Sequence, residues 1–375
     1  MSTTDARVRQ ATAADREALW AFLSSAYGAL SEYKLPERWK WLFEDNPYID
    51  ERGLPIWIAE HEGRIVGQMC AMPIELRIDG EPHPAAWAID LVVLPECRGQ
   101  GLGNRLHEAA VEHSGILMKL TMAASTRRMA ERAGCLNLAP LPMYFRPARM
   151  TARAVREYLL KRTERRPWLR RIAHIGTRYA HLDLPIAAVI NLRSRLRGLG
   201  RRPAPSRTEV LEKQEFDADF DEIERLTSGG FGVTVARSPR FLRWRFRSLG
   251  GLRYRAFVAR RDGQPLGYVV LRHPDPIERQ AGVIVDLVCA PEDQQTAEDL
   301  LRFAVDFFGA GVAGIVCSLP EREFGSSLRR SGFLRAGQQN PTCVCTDPET
   351  RAKLAEQHGN WYLSRADHDW DQVLP

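Results

Sequence analysis

The chain repeats itself. Short blocks recur in the same order: "RWKWLFEDNP" from Arg38 is matched by "RFLRWRFRSL" from Arg240, "WIAEHEGRIVGQMCAMP" by "FVARRDGQPLGYVVLRHP", "AIDLVVLPE" by "IVDLVCAPE", and "RRMAERAGC" by "GSSLRRSGF". Trp41 and Trp244 stand 203 residues apart, Asp90 and Asp286 196, Gly134 and Gly332 198. An offset held that closely across four blocks means one domain written twice, with the same elements in the same order. A chain of 375 residues has the length for two such domains.

The copies part company at one turn. After "LVVLPE" comes "CRGQGLGN"; after "LVCAPE" comes "DQQTAEDL", which has no glycine. Three glycines at alternate positions, Gly99, Gly101 and Gly103, weaken a strand or a helix interior, so the chain turns there. A strand, a glycine turn and a helix bring bare backbone N–H groups and the positive end of a helix together, which cradles phosphate oxygens. Arg98 adds a charge-assisted bond to the same ligand. The spacing does not fit G-x-G-x-x-G and no Lys-Ser/Thr follows, so dinucleotide and nucleoside-triphosphate fingerprints are excluded. The expectation is one phosphate-bearing ligand, held by the first copy.

With its flanks, "LVVLPECRGQGLG" resembles motif A of the GNAT superfamily of acyl-CoA-dependent N-acyltransferases: a strand ending near V-x-P, then R/Q-x-x-G-x-G/A opening a helix, matched by Arg98, Gly101 and Gly103. The order of elements is similar too. "ARVRQATAADREALWAFLSSAYG" reads as a strand and a helix and "PERWKWLFEDNP" as a helix; "PIWIAEHEG", "RIVGQMCAMPIELRIDG" and "AAWAIDLVVL" read as strands. After "GNRLHEAAVEH" come a strand, "ILMKLTMA", a helix, "TRRMAERAG", and "LNLAPLPMYFRP". The resemblance covers about residues 5–147, and 208–346 as a degenerate copy. It implies an α/β protein with mixed sheets: GNAT-like domains at 1–148 and 207–348, a basic helical connector at 149–206, and a tail at 349–375. It also implies acetyl-CoA as co-substrate and no metal. Pantetheine would lie against Leu91, Val92 and Val93, and the pyrophosphate on Gly99, Gln100, Gly101, Leu102, Gly103 and Asn104. An N–H near Val93 would face the oxyanion.

The same resemblance singles out Asp90, where such enzymes keep an acid that helps an amine lose its proton. A structural role competes with it, because Asp286 occupies the matching place in the copy without the loop. Many relatives carry an asparagine and, seven residues on, a tyrosine that protonates the departing thiolate; here those positions are Ala123 and Ala130. Tyr144 is the candidate substitute acid, weighed against a core role. His107 and His113 read as surface residues, and His83 and Glu75 as weaker cleft candidates at strand edges. The pairs Trp39/Trp41 and Trp244/Phe246 recur in both copies, which favours packing. The tail "RADHDWDQVLP" could fold back and lend its terminal carboxylate, as in some tandem relatives.

Composition narrows the setting. The opening "MSTTDAR" has no basic start before an apolar core, and no run approaches the roughly 18 apolar residues of a membrane span. Of seven cysteines only Cys343 and Cys345 lie close together, which suits neither a zinc site nor a disulfide framework. A reducing cytoplasm is the expectation. From Arg149 to Arg207 stand 16 Lys or Arg and three acids, a net +13 in a chain of net +6, so the rest carries −7. That segment reads either as a solvated connector packed on one apolar face or as a contact for an anionic membrane surface. Nucleic acid is not expected, because the connector lacks the aromatic interleaving of a base-stacking surface. The leading function is acetyl-CoA-dependent N-acetyl transfer to a primary amine of an unnamed small molecule, amino sugar, antibiotic or protein. A non-catalytic acyl-CoA-binding protein is the alternative that Ala123 and Ala130 favour. A tRNA-dependent aminoacyl transferase is the third, suggested by the tandem copies and the basic connector and opposed by intact motif A.

Overall fold

A computed structural model describes residues 6–51, 53–120, 134–163, 166–179, 181–199, 207–249, 251–273 and 281–369. The expected helix "TRRMAERAG" therefore lies mostly outside the described residues, as do Ala123, Ala130 and residues 370–375. The chain forms two compact units, and neither follows the linear division into repeats. One holds Met1–Leu141, Glu215–Gly251 and Gln338–Val373; the other holds Pro142–Gln214, Leu252–Gly337 and Leu374–Pro375.

The first unit is built on a mixed sheet. Its main path runs β1 (Arg7–Gln10), β2 (Ile56–His61), β3 (Arg64–Ile78), β4 (Glu81–Val93), β5 (Ile116–Lys119), β15 (Thr342–Cys345) and β6 (Leu136–Asn137). β9 (Val233–Val235) joins β3 and carries β16 (Trp361–Tyr362). β3 and β4 form a long hairpin closed by Asp79-Gly80, with φ of 50° and 85°. A two-residue turn of this kind needs positive φ at both positions, and Asp-Gly supplies it. β4 and β5 run parallel and pair only at Ala86↔Leu117 and Trp87↔Met118, so β4 continues to Val93 beyond its last bridge to β5. Opposite Met69 the register slips: Gln68 faces Val92 and Cys70 faces Ile89, which leaves Asp90 and Leu91 in a bulge. Asp90 takes φ +50°, a conformation that aspartate tolerates better than most residues.

Helices α1 (Arg16–Tyr27), α2 (Glu37–Phe43) and α3 (Leu102–Ser114) belong to this unit. α3 buries Leu102, Leu106 and Ala110, one stripe at helical spacing, on a cluster with Trp57, Ala59, Val66, Met69 and Leu117. From the second repeat come α7 (Ala218–Thr227) and α8 (Pro239–Arg245), and from the tail α11 (Pro348–Glu356). Trp41 on α2 and Trp244 on α8 stack with centroids 4.7 Å apart and planes 6° from parallel. Each indole N–H donates to the other's backbone carbonyl, at 3.0 and 2.8 Å. The recurring tryptophans thus meet one another as core residues.

The second unit has the strand order β14 (Leu334–Gln339), β7 (Leu141–Pro147), β13 (Gly314–Ser318), β12 (Ala281–Cys289), β11 (Gln264–Arg272), β10 (Tyr254–Arg261) and β8 (Glu209–Lys213). Helices α9 (Gln294–Phe308) and α10 (Glu321–Arg330) accompany it. The two repeats exchange a strand: β15, from the second, pairs with β5, while β7, from the first, pairs with β13.

The connector forms α4 (Ala152–Arg162), α5 (Pro167–Arg178) and α6 (Asp183–Leu199), all in the second unit. Met150, Val155 and Ala187 make its buried cluster. Asn191 accepts from the Met150 N–H at 2.8 Å and donates to its carbonyl at 2.9 Å, and Arg156 donates to Asp183 at 2.7 Å. The connector packs part of its apolar surface in that cluster, with Leu159 and Ile190 against it, and leaves another part outside. Small residues such as Ala187 and Thr177 are buried, whereas Trp168, Ile172, Ile175 and Tyr179 of α5 and its end stand exposed.

Candidate functional site

The apolar run of β4 carries the chain to Val93, and Pro95–Cys97 then make one tight turn that buries Cys97 beside Leu102 and Leu106. The Arg98 guanidinium donates through Nε to the Val93 carbonyl at 2.9 Å, pinning the loop to the strand end. Gly99 and Gly101 both take φ +79°, where any other residue is strained. Gly101 is the N-cap of α3 and has no side chain to close the helix. A Cβ added at Gly99, Gly101 or Gly103 meets nothing within 4 Å. No side chain closes the N-terminus of α3 or its positive end, and of its first N–H groups that of Asn104 turns back to the Gly101 carbonyl at 3.0 Å.

The matching place in the second repeat is closed by the chain's own groups. The Asp293 carboxylate caps α9, accepting from the Thr296 N–H at 2.9 Å and its hydroxyl at 2.6 Å. Gln294 donates to the carbonyls of Pro291 and Glu323 at 3.1 and 3.0 Å and accepts from the hydroxyls of Ser326 and Ser327 at 3.1 and 2.7 Å. β12 also outruns its parallel partner, with its last bridge at Val283↔Val316. It stays buried from Gly282 to Cys289, whereas Asp90–Val93 of β4 is half-buried. Both copies splay; one is filled.

Asp90 sits in the bulge between two cations. Its Oδ1 accepts from Lys34 Nζ at 2.6 Å and its Oδ2 from Arg38 Nη1 at 3.0 Å. Arg38 also pairs with Asp369, which His368 meets at 2.5 Å through Nδ1. Lys34 Nζ lies 4.4 Å from the centre of the Tyr27 ring. Burial alone raises the Asp90 carboxyl, but Arg38 and Lys34 outweigh it and hold it below the ordinary carboxylate value. A general base works best with a pKa near the working pH. Asp90, an anion with both oxygens engaged, is poorly set for that task. Asp286 is held differently, accepting from the Tyr268 hydroxyl at 2.8 Å. The start of the tail does fold back: Arg245 donates to the carbonyls of Arg365, Ala366 and His368 at 3.1, 2.5 and 2.9 Å, and Arg237 pairs with Asp367.

Residues 7–136 match the family model of the acetyltransferase (GNAT) domain. Over those residues the chain is similar to the GNAT acetyltransferases. Among solved structures, a GCN5-related N-acetyltransferase from Anabaena variabilis aligns over 91% of this chain and 73% of its own, with 12% identity and a TM-score of 0.58. The N-myristoyltransferase of Saccharomyces cerevisiae, solved with bound myristoyl-CoA, covers 91% of this chain and 83% of its own, with 11% identity and a TM-score of 0.53. A tandem GNAT protein from the clavulanic acid biosynthesis pathway covers 92% and 99%, with 14% identity and a TM-score of 0.51. At such identities the likeness is one of fold. No curated protein matches the sequence.

The remaining candidates scatter around the GNAT domain. His107, expected at the surface, is buried on α3; burial and the nearby Lys119 bring it down to about 4. Lys119 on β5 is buried as well, which lowers it to about 8. Neither His107 Nε2 nor Lys119 Nζ has a hydrogen-bond partner among the described residues. His113 packs edge-on to Trp57 at 5.3 Å. His83, Glu75 and His113 line a cavity with Tyr48, Pro73 and Pro84, beside the opening residues of β4 and away from the glycine loop at its other end. Tyr144 falls in the second unit, where its hydroxyl bonds Glu321; burial and that carboxylate push the phenol up. The structure thus does not bring Tyr144 into the unit that holds Asp90 and the loop. Lys34 and Lys119 belong to no motif; Arg38 opens a repeated block and Asp369 lies in the tail, but only the folded chain ties either to Asp90. Among the described residues no group of three His, Cys, Asp or Glu could hold a metal ion.

Proposed function

We propose that the chain is an acyl-CoA-dependent N-acyltransferase that holds one acetyl-CoA on its first repeat and passes the acyl group to a primary amine. One observation carries the reading: glycines leave the N-terminus of α3 open, where Asp293 closes that of α9. In this reading, the N–H groups from Gly99 to Asn104 and the Arg98 guanidinium receive the pyrophosphate. The unbridged edge of β4 at Leu91, Val92 and Val93 receives the pantetheine amides. The bound co-substrate supplies a thioester. The amine nitrogen adds to its carbonyl carbon, the C–S bond breaks to release the thiolate, and the proton lost by the nitrogen passes to solvent water. A backbone N–H near Val93 faces the oxyanion, a donor of the kind worth ~2.7–4 kcal/mol in acyl transfer. A thiol with an acidity near that of cysteine, about 8.5, leaves as thiolate with little help, so the chemistry does not depend on Tyr144. Asp90 acts here as a positioning residue that fixes Lys34 and Arg38 beside the bulge.

Calorimetric titration with acetyl-CoA tests the site. The expected result is one site per chain, abolished by Gly101→Asp through bulk and charge, and unchanged by Gln295→Ala in the second repeat. Two equivalent sites, or one indifferent to Gly101→Asp, would sink the assignment. The engaged oxygens of Asp90 favour a second reading, an acyl-CoA-binding protein without turnover. Free-thiol release across a panel of amines separates the two: if no amine accelerates release while binding persists, the second reading holds.

A further inference from the structure

Among the described residues, 12 large apolar side chains stand exposed, and nine of them lie between Trp168 and Leu192. They lie on two consecutive helices of the second unit and on the turn between them. On α5 and its end, Trp168, Ile172, Ile175 and Tyr179 recur at steps of four, three and four, a single stripe along one helix face. On α6, the nine residues from Leu184 to Leu192 include no charge, and Leu184, Ile186, Val189 and Leu192 are exposed. Trp168 is 64% exposed, Ile172 59% and Tyr179 72%. Packing within the connector does not account for these side chains, because its cluster is made by Met150, Val155 and Ala187 with Leu159 and Ile190 and includes none of them.

The charged residues around these side chains share one sign. Arg166, Arg170, Arg171 and Arg178 are exposed on or beside α5, with His174 and His181 among them. On a helical wheel Arg171 and Arg178 flank the apolar stripe on the same side. The stretch from Arg149 to Arg207 carries +13 while the rest of the chain carries −7. We infer that α5 and α6 dock the protein on the surface of a bilayer containing anionic phospholipid. The apolar stripe would enter the acyl boundary, Trp168 and Tyr179 would lie at the headgroup level where such rings are favoured, and the arginines would meet lipid phosphates. The contact is interfacial, since no described helix is long and apolar enough to cross a membrane. A second copy of the chain fits less well: a two-fold contact through this face sets one basic surface against its twin. The inference stands independently of acyl transfer.

Flotation of the full chain with vesicles tests it. With equal parts phosphatidylcholine and phosphatidylglycerol the protein should float; with phosphatidylcholine alone it should stay behind, and salt should weaken the binding. Arg171→Ala and Arg178→Ala should each weaken partition roughly fivefold. Trp168→Asp combined with Ile172→Asp should reduce flotation to background while leaving the thermal melt and the far-ultraviolet circular dichroism unchanged, as expected for exposed positions. Failure to float with anionic vesicles at low salt would overturn the inference. So would flotation undiminished in the Trp168→Asp/Ile172→Asp variant, or a wild-type dimer that this variant dissociates while no vesicle binds.

Discussion

Asp90, half-buried, and Lys119, buried, show how differently two charges in one domain can be treated. Asp90 is matched by Lys34 and Arg38, and its folded carboxyl lies below the ordinary value. Such a group contributes stability above its unfolded pKa, near 3.9, and that contribution fades as pH falls through the depressed value. Asp90→Asn leaves two cations facing a neutral amide and should cost about 3–5 kcal/mol at pH 7, the range for breaking a buried pair. Urea unfolding should show the gap between the two proteins narrowing below pH 4; a gap that is small at pH 7 would mean that water already screens the pair. Lys119 has the opposite sign. Burial lowers it to about 8, so between pH 8 and 10.5 the folded chain binds fewer protons than the unfolded chain and gains stability as pH rises. Lys119→Met should therefore stabilise the protein at pH 7, by on the order of 3 kcal/mol, with the gain shrinking towards pH 10.5. Equal stability of the two proteins at pH 7 would show that the ammonium finds solvent or a partner.

The helix N-termini are the elements on which the two repeats diverged. Asp293→Ala should cost about 0.5–2 kcal/mol of stability, as lost N-caps do. It should not create an acyl-CoA site, because Gln294 still ties α9 to the carbonyl of Glu323 and to Ser326 and Ser327. Titration of this variant with acetyl-CoA reads the outcome, and a second site appearing would mean that the cap alone keeps the second repeat closed. Much of this level was legible in advance. Asp79-Gly80 announces its hairpin, and the contrast between "CRGQGLGN" and "DQQTAEDL" marks the open and closed turns, since glycine and cap chemistry are local. The partners of Asp90 were not legible. Lys34 and Arg38 lie 56 and 52 residues away, and Arg38 meets Asp369 across 331 residues. Periodicity carries no record of such pairings. Nor did it tell which face of α5 turns outward: the stripe of Trp168, Ile172, Ile175 and Tyr179 has the spacing of a core-facing helix.

At the scale of the whole molecule the repeat misleads in one respect. It suggests two separable halves, yet each sheet takes a strand from the other copy. Residues 1–206 lack β15, β9 and β16 of the first sheet, and residues 207–375 lack β7 of the second. Produced apart, neither half should show a cooperative thermal transition, and mixing them should restore one. A sharp transition from residues 1–206 alone would make the exchanged strand dispensable. The exchange also sets a timetable. Lys119 leaves the ribosome about 220 residues ahead of Thr342, its partner across the ladder, a lag of roughly 10–45 s at ~5–20 residues/s. Through that interval one side of β5 is an unpaired edge, open to any other strand that reaches it. The yield of native protein then depends on how well a nascent chain is shielded while it waits, and a slower ribosome lengthens the wait.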